Sequence, residues 1–259
     1  LLLSAMLLSL SAPLAAQDTA TAPAPAAAPA TEVTTVSPEA QAVIDRMTNY
    51  LRGLKSYSIE SWSTRDEVVS FGYKLQHNEH AVTTFQLPSR LRVDVKGDIR
   101  NRSFIFNGST LVMYSPDDAV FVKIDAPDTV GKLIDGILDA GIEIPMLDML
   151  YQTYNGGITG DARGGVLVGQ ATVDGVEVDH LAFRAPSFDW QIWVERGARP
   201  LPRKLVITTR YEVGDPQYQL LMRWNLQPAI DKSTFEFTPA AGVTQIPFVE
   251  AAAFKPAAQ

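Results

Sequence analysis

From residue 57 onward, apolar residues recur at every second position in short runs, and the runs are separated by tight turns. Leu91, Val93 and Val95 alternate with Arg90, Arg92, Asp94 and Lys96. That period of two belongs to a half-buried β-strand, because successive side chains on a strand point to opposite faces. Pro88 separates this strand from a longer one at about 71–86, since proline cannot donate to a central ladder. Asn107-Gly108 lies between the β-rich runs 102–106 and 109–114 and predicts a tight hairpin. Pro116-Asp117-Asp118 turns the protein again before 120–124. Six strands joined by short connections predict an antiparallel meander between 57 and 125. A second series follows at 166–171, 176–184, 190–195, 204–211 and 218–225, with Asp174-Gly175 and Gly214-Asp215-Pro216 as turns.

Two stretches break the period of two. Ser37-Pro38-Glu39 has the form of a helix start, with Ser as N-cap, Pro at the first position and an acid in the first turn. Ala40, Val43, Ile44, Met47, Leu51 and Leu54 then recur at helical spacing, predicting an amphipathic helix at about 38–54. Between 127 and 152, Val130, Leu133, Ile134, Ile137 and Leu138 share one helical face. Gly141 can end that helix, and Pro145 can open a second one carrying Met146, Leu147, Met149 and Leu150. The sum is about eleven strands and three helices in one α+β domain, a large curved antiparallel sheet with helices on one face.

Several strands are apolar on both faces. Trp193 points opposite to Trp190, Ile192 and Val194, and Leu221 opposite to Tyr218, Leu220, Met222 and Trp224. Either the helices cover one face while strand curvature packs the other, or the concave face holds an apolar cavity roofed by residues 127–152. In the second case Leu91, Val93, Met146, Met149, Trp190, Ile192, Tyr218, Leu220, Met222 and Trp224 are the candidate lining. An empty apolar cavity of ~300 Å³ would cost about 7 kcal/mol, against a total domain stability of about 5–15 kcal/mol. Such a cavity must therefore be filled, wet or collapsible under a mobile lid. Gly131 and Gly136 each weaken the first lid helix by roughly 1 kcal/mol relative to Ala, and Met146 and Met149 are adaptable packing residues.

Composition narrows the chemistry. The 259 residues include no Cys, which excludes disulfides, thiolate metal sites and a catalytic thiol. A net charge of -7 and a pI near 5.0 leave no basic surface for nucleic acid. Of the three His, His77 and His80 are three apart and fall on opposite faces of a strand, so they cannot readily share a metal. His180 with Asp189 across a hairpin is the one acid–base pair to consider, but no G-x-S-x-G supplies a nucleophile. No cofactor motif is present: Gly131-Lys132 lacks the rest of a phosphate loop. Residues 1–16 are uncharged and rich in Leu, Met and Ala, too short to span a bilayer and expected to be part of a signal peptide. Residues 17–37 are Ala/Pro/Thr-rich and read as a disordered tether, 38–250 as a single domain, and 251–259 as a tail.

Residues 174–184 (DGVEVDHLAFR), Asp189-Trp190-Gln191-Ile192-Trp193 and Pro200 through Ile207 together resemble a bacterial family of predicted periplasmic proteins, a domain of unknown function. Shorter stretches, Pro88-Ser89-Arg90-Leu91-Arg92 among them, are similar too, so the resemblance covers about 38–248. It implies the fold of the periplasmic lipoprotein carriers, a curved half-barrel with a helical lid over an apolar cavity. It implies no catalytic residue. The carriers hold the lid with a strand Arg; the resemblance aligns no position with it, and Arg92 and Arg102 are the strand arginines to compare. The family pattern has Cys where Val178 stands. The expected function is non-enzymatic binding of an apolar ligand (lipid, acyl chain or lipoprotein) in the periplasm, with no transmembrane segment in the mature protein. The alternatives are a cell-envelope sensor with a protein partner and, last, an enzyme using His180 and Asp189.

Overall fold

The computed structural model describes residues 34–139, 146, 147, 149, 150 and 157–248. The segments read as signal peptide and tail, most of the tether, and Pro145 with its helix start lie outside them. Helix α1 runs Pro38–Gly53. Its N-cap is Ser37, whose hydroxyl accepts from the Ala40 amide at 3.2 Å. Six strands follow: β1 Ser56–Val68, β2 Lys74–Gln86, β3 Arg90–Gly97, β4 Arg102–Phe106, β5 Thr110–Ser115 and β6 Val120–Asp125. Helix α2 spans Val130–Asp139. Beyond it Leu147, Met149 and Leu150 are helical, the Leu150 amide donating to the Met146 carbonyl at 3.1 Å. The second series is β7 Gly164–Val173, β8 Val176–Arg184, β9 Phe188–Glu195, β10 Pro202–Thr209 and β11 Gln217–Asn225. A short 3₁₀ turn, Lys232–Phe235, and the two-residue strand β12, Thr244–Gln245, complete the element order.

The sheet therefore has twelve strands rather than eleven. Its order is β12-β6-β5-β4-β3-β2-β1-β11-β10-β9-β8-β7. β12 was missed because two residues carry no alternation; it pairs parallel to β6, whereas the other ladders are antiparallel. Each series is a meander, and the last strand of the second returns to lie beside β1, with Trp62 opposite Leu221. The strand expected from residue 71 starts at Lys74, because a turn precedes it in which the Val69 amide donates to the Tyr73 carbonyl.

Period-two burial divides the sheet into two faces. On the concave side the buried residues of β1, β2, β3 and β11, such as Ile59, Phe85, Leu91 and Leu220, join one core cluster with the apolar faces of α1 and α2. Val43, Ile44, Met47 and Leu51 of α1 and Val130, Leu133, Ile134 and Ile137 of α2 are all buried there. A second, smaller cluster lies on the convex side, where Phe237 and Val243 pack on Ile105, Val112 and Phe121. The segment after β11 thus crosses the outside of β4–β6 and covers that edge of the sheet.

Candidate apolar cavity

Strand register brings an apolar wall together at one end of the concave face. Ile207 of β10 stands opposite both Trp190 of β9 and Tyr218 of β11, and Leu205 stands opposite Ile192 and Leu220. Trp190 is held flat by Phe183 of β8, ring centroids 4.0 Å apart and 12° from parallel. Phe183 can lie there because Gly165 of β7 faces it: a Cβ on Gly165 would stand 2.4 Å from the Phe183 ring. The β8–β9 turn adds Ala185 and Phe188, and the Ala185 amide donates to the Phe188 carbonyl at 2.8 Å.

Against this wall lies a cavity of about 170 Å³. Trp190, Leu205, Ile207, Tyr218 and Leu220 line its sheet side. Its other side is formed by Met146, Met149, Gly157, Ile158, Asp161 and Ala162. Asp161 is the single carboxylate among the described lining residues.

Five of the ten residues expected from the sequence line this space: Met146, Met149, Trp190, Tyr218 and Leu220. The other five sit elsewhere on the same face. Leu91, Val93, Ile192 and Met222 are buried in the packed core. Trp224 lies at the far end of its strand, its indole N–H donating to the Pro202 carbonyl at 2.7 Å and its ring 5.4 Å from Tyr57. Sequence reasoning missed Leu205 and Ile207, although they follow from parity, since both alternate with Lys204 and Val206. It also missed Gly157, Ile158, Asp161, Ala162, Ala185 and Phe188, which lie in or beside loops where no period operates.

The other sequence candidates separate. His77 bonds Glu67 and His80 bonds Glu60, each at 2.9 Å. Among the described residues no group of three or more His, Cys, Asp or Glu could hold a metal. Asp189 does not approach His180. Residues 185–187 connect β8 and β9, which puts Arg184 opposite Asp189 and His180 opposite Trp193. Arg184 grips Asp189 with two bonds of 2.9 and 2.8 Å and holds its carboxyl below the usual carboxylate range. His180 stacks on Trp193 with centroids 4.2 Å apart and bonds Gln191 at 2.9 Å, so it is satisfied and half-buried. Of the two strand arginines, Arg92 is bound by Asp94 and the Thr234 carbonyl, and Arg102 by Glu79 at 2.6 Å.

A family model described as "Predicted periplasmic protein (DUF2092)" matches residues 40–249, and the protein belongs to that family. The periplasmic location expected from residues 1–16 agrees with that description. No curated protein matches the sequence. Similar solved structures include LprF from Mycobacterium bovis, at 13% identity and TM-score 0.47, covering 76% of this protein and 98% of that one. The lipoprotein LppX from Mycobacterium tuberculosis is 13% identical with TM-score 0.46, covering 75% and 100%. A LolA superfamily protein from Nitrosomonas europaea is 10% identical with TM-score 0.31, covering 80% and 99%.

Proposed function

We propose that this periplasmic protein binds a single acyl chain, of a lipid or a lipoprotein, in the cavity between the β9–β11 wall and Met146, Met149 and residues 157–162. The observation that carries this reading is the cavity itself: an apolar space at the sheet end, walled by Trp190, Leu205, Ile207, Tyr218 and Leu220. Its lining carries one carboxylate and no His among the described residues, which suits sequestration rather than acid–base chemistry.

The volume sets a condition. Ligand pockets usually enclose ~300–1,000 Å³, so 170 Å³ accommodates an acyl chain only after its walls move. Met146 and Met149 are unbranched and can change rotamer at low cost. Each buried CH₂ contributes ~0.8 kcal/mol, so a chain of about fourteen carbons has a gross burial energy near 11 kcal/mol. Micromolar binding needs about 8 kcal/mol, which leaves about 3 kcal/mol of that gross energy to set against widening the space and ordering the chain.

The test is a native purification followed by lipid extraction and mass spectrometry, with titration of a fluorescent long-chain fatty acid. The expected result is saturable one-to-one binding and co-purified lipid. Absence of both would sink the proposal.

A further inference from the structure

Among the described residues, the four most exposed large apolar side chains lie at the end of the sheet that holds the cavity. In the β1–β2 turn Phe71 and Tyr73 are 71% and 69% exposed, and in the β10–β11 turn Tyr211 and Val213 are 80% and 81% exposed. Burial of such groups is the ordinary outcome, and a contiguous exposed patch marks an interaction surface.

The two turns adjoin. A Cβ built on Gly214 would stand 3.5 Å from Val68 Cγ2 and 3.6 Å from Lys74 Cε. The Gln217 amide donates to Asp66 Oδ2 at 3.1 Å, tying the base of one hairpin to the other. The patch is also continuous with the cavity rim. Arg210 donates its amide to the Ser187 carbonyl of the β8–β9 turn, next to the lining residue Phe188. Tyr218 and Ile207, both lining residues, flank the β10–β11 turn.

Ring contacts and left-handed backbone mark both turns. Phe71 and Tyr73 meet edge to face at 5.4 Å, and Gly72 between them has φ +85°. Tyr211 has φ +68°, a conformation that costs a bulky residue about 1–3 kcal/mol, and Arg210 lies over its ring at 4.9 Å.

Charge decides among partners. Around these turns stand Arg65, Lys74 and Arg210, against Asp66, Glu67, Glu212 and Asp215, and the whole protein is at -7. No basic excess is available to attract anionic headgroups. Projecting aromatic and aliphatic tips with balanced charge match the interfacial zone of a bilayer, where amphipathic rings partition favourably. We propose that Phe71, Tyr73, Tyr211 and Val213 dock the protein on a lipid bilayer surface by insertion, setting the cavity rim against the source of its ligand. This rests on the acyl-binding reading above for the purpose of docking, though not for the docking itself.

The absence of cysteine makes a clean probe possible. The full protein carries Val213→Cys labelled with an environment-sensitive fluorophore and is mixed with phosphatidylethanolamine/phosphatidylcholine vesicles. The expected result is a saturable rise in emission, quenched by lipids brominated near the headgroup and unchanged between low and high salt. Phe71→Ser with Tyr73→Ser and Tyr211→Ser, in the same labelled protein, is expected to cut vesicle partitioning at least about tenfold while leaving uptake of a soluble fluorescent fatty acid intact. No emission change on vesicles overturns the docking surface. So does an emission rise with protein concentration alone, which would make a second copy the partner, and so does binding that collapses with salt. In the labelled protein with Phe71, Tyr73 and Tyr211 intact, absent docking with fatty-acid uptake present sinks this inference only, and absent uptake with docking present sinks the acyl-binding reading only; triple-Ser partitioning equal to that protein's overturns the docking surface.

Discussion

The concave face of the sheet is apolar along its length, yet its two halves end in different states. On β1–β4, large side chains meet the helices and fill the space: Tyr57, Phe85, Leu91 and Phe106 are 0–1% exposed, and Tyr57 stacks on Phe85 at 4.8 Å. On β9–β11 the wall is equally apolar, but it faces Met146, Met149, Gly157, Ile158, Asp161 and Ala162. About 170 Å³ is left between them. The cavity is therefore made by what covers the sheet rather than by the sheet. A cover made mostly of small and flexible residues, with no aromatic ring, leaves an opening that large rings close on the other half.

The sharpest way to break this comparison is the same substitution on both sides. Ala81 of β2 and Ala185 beside the cavity are 2% and 1% exposed. Ala81→Leu adds three carbons to a filled core and is expected to destabilise by about 1–3 kcal/mol, read as a lower urea midpoint at unchanged slope. Ala185→Leu adds them beside empty space and is expected to change stability by less than about 1 kcal/mol while weakening fatty-acid binding at least about tenfold. Equal destabilisation by the two would mean that the β9–β11 end is as tightly packed as the rest.

A smaller effect concerns α2. Gly131 and Gly136 lie on its exposed side, with nothing within 4 Å of a built Cβ. Replacing both with Ala is expected to raise stability by up to about 1 kcal/mol each through helix propensity. If α2 must yield for the cavity to widen, the double variant binds fatty acid more slowly at similar capacity, as stopped-flow fluorescence would show. Faster or unchanged uptake would place the moving part elsewhere.

These regions also differ in how far they could be read from the amino acids. The sheet was legible because alternation is a local property: Leu91, Val93 and Val95 declare a face without knowledge of their neighbours. The same parity marked Trp190, Tyr218 and Leu220 as one wall. Which part of that wall would stay uncovered was not legible, because it depends on residues 157–162 (GITGDA), a loop with no period, arriving from a distance. Leu91 and Ile192 were therefore expected at a cavity although they lie in packed core. The Asp189–His180 pairing failed for a related reason. Hairpin register depends on turn length, and a turn at 185–187 sets Arg184, not His180, across from Asp189. The cover on β4–β6 was also hidden, since Phe237 and Val243 belong to a stretch with too little regular structure to signal itself.

The central claim is that the acyl chain sits at the β9–β11 end and nowhere else on the concave face. A crystal structure of the protein with a terminally brominated fatty acid tests it directly. The account predicts anomalous bromine density among Trp190, Met149 and Leu220, with the Tyr57–Phe85 stack undisturbed. Bromine within the core beneath α1, or in the groove between β4–β6 and residues 235–245, would contradict it.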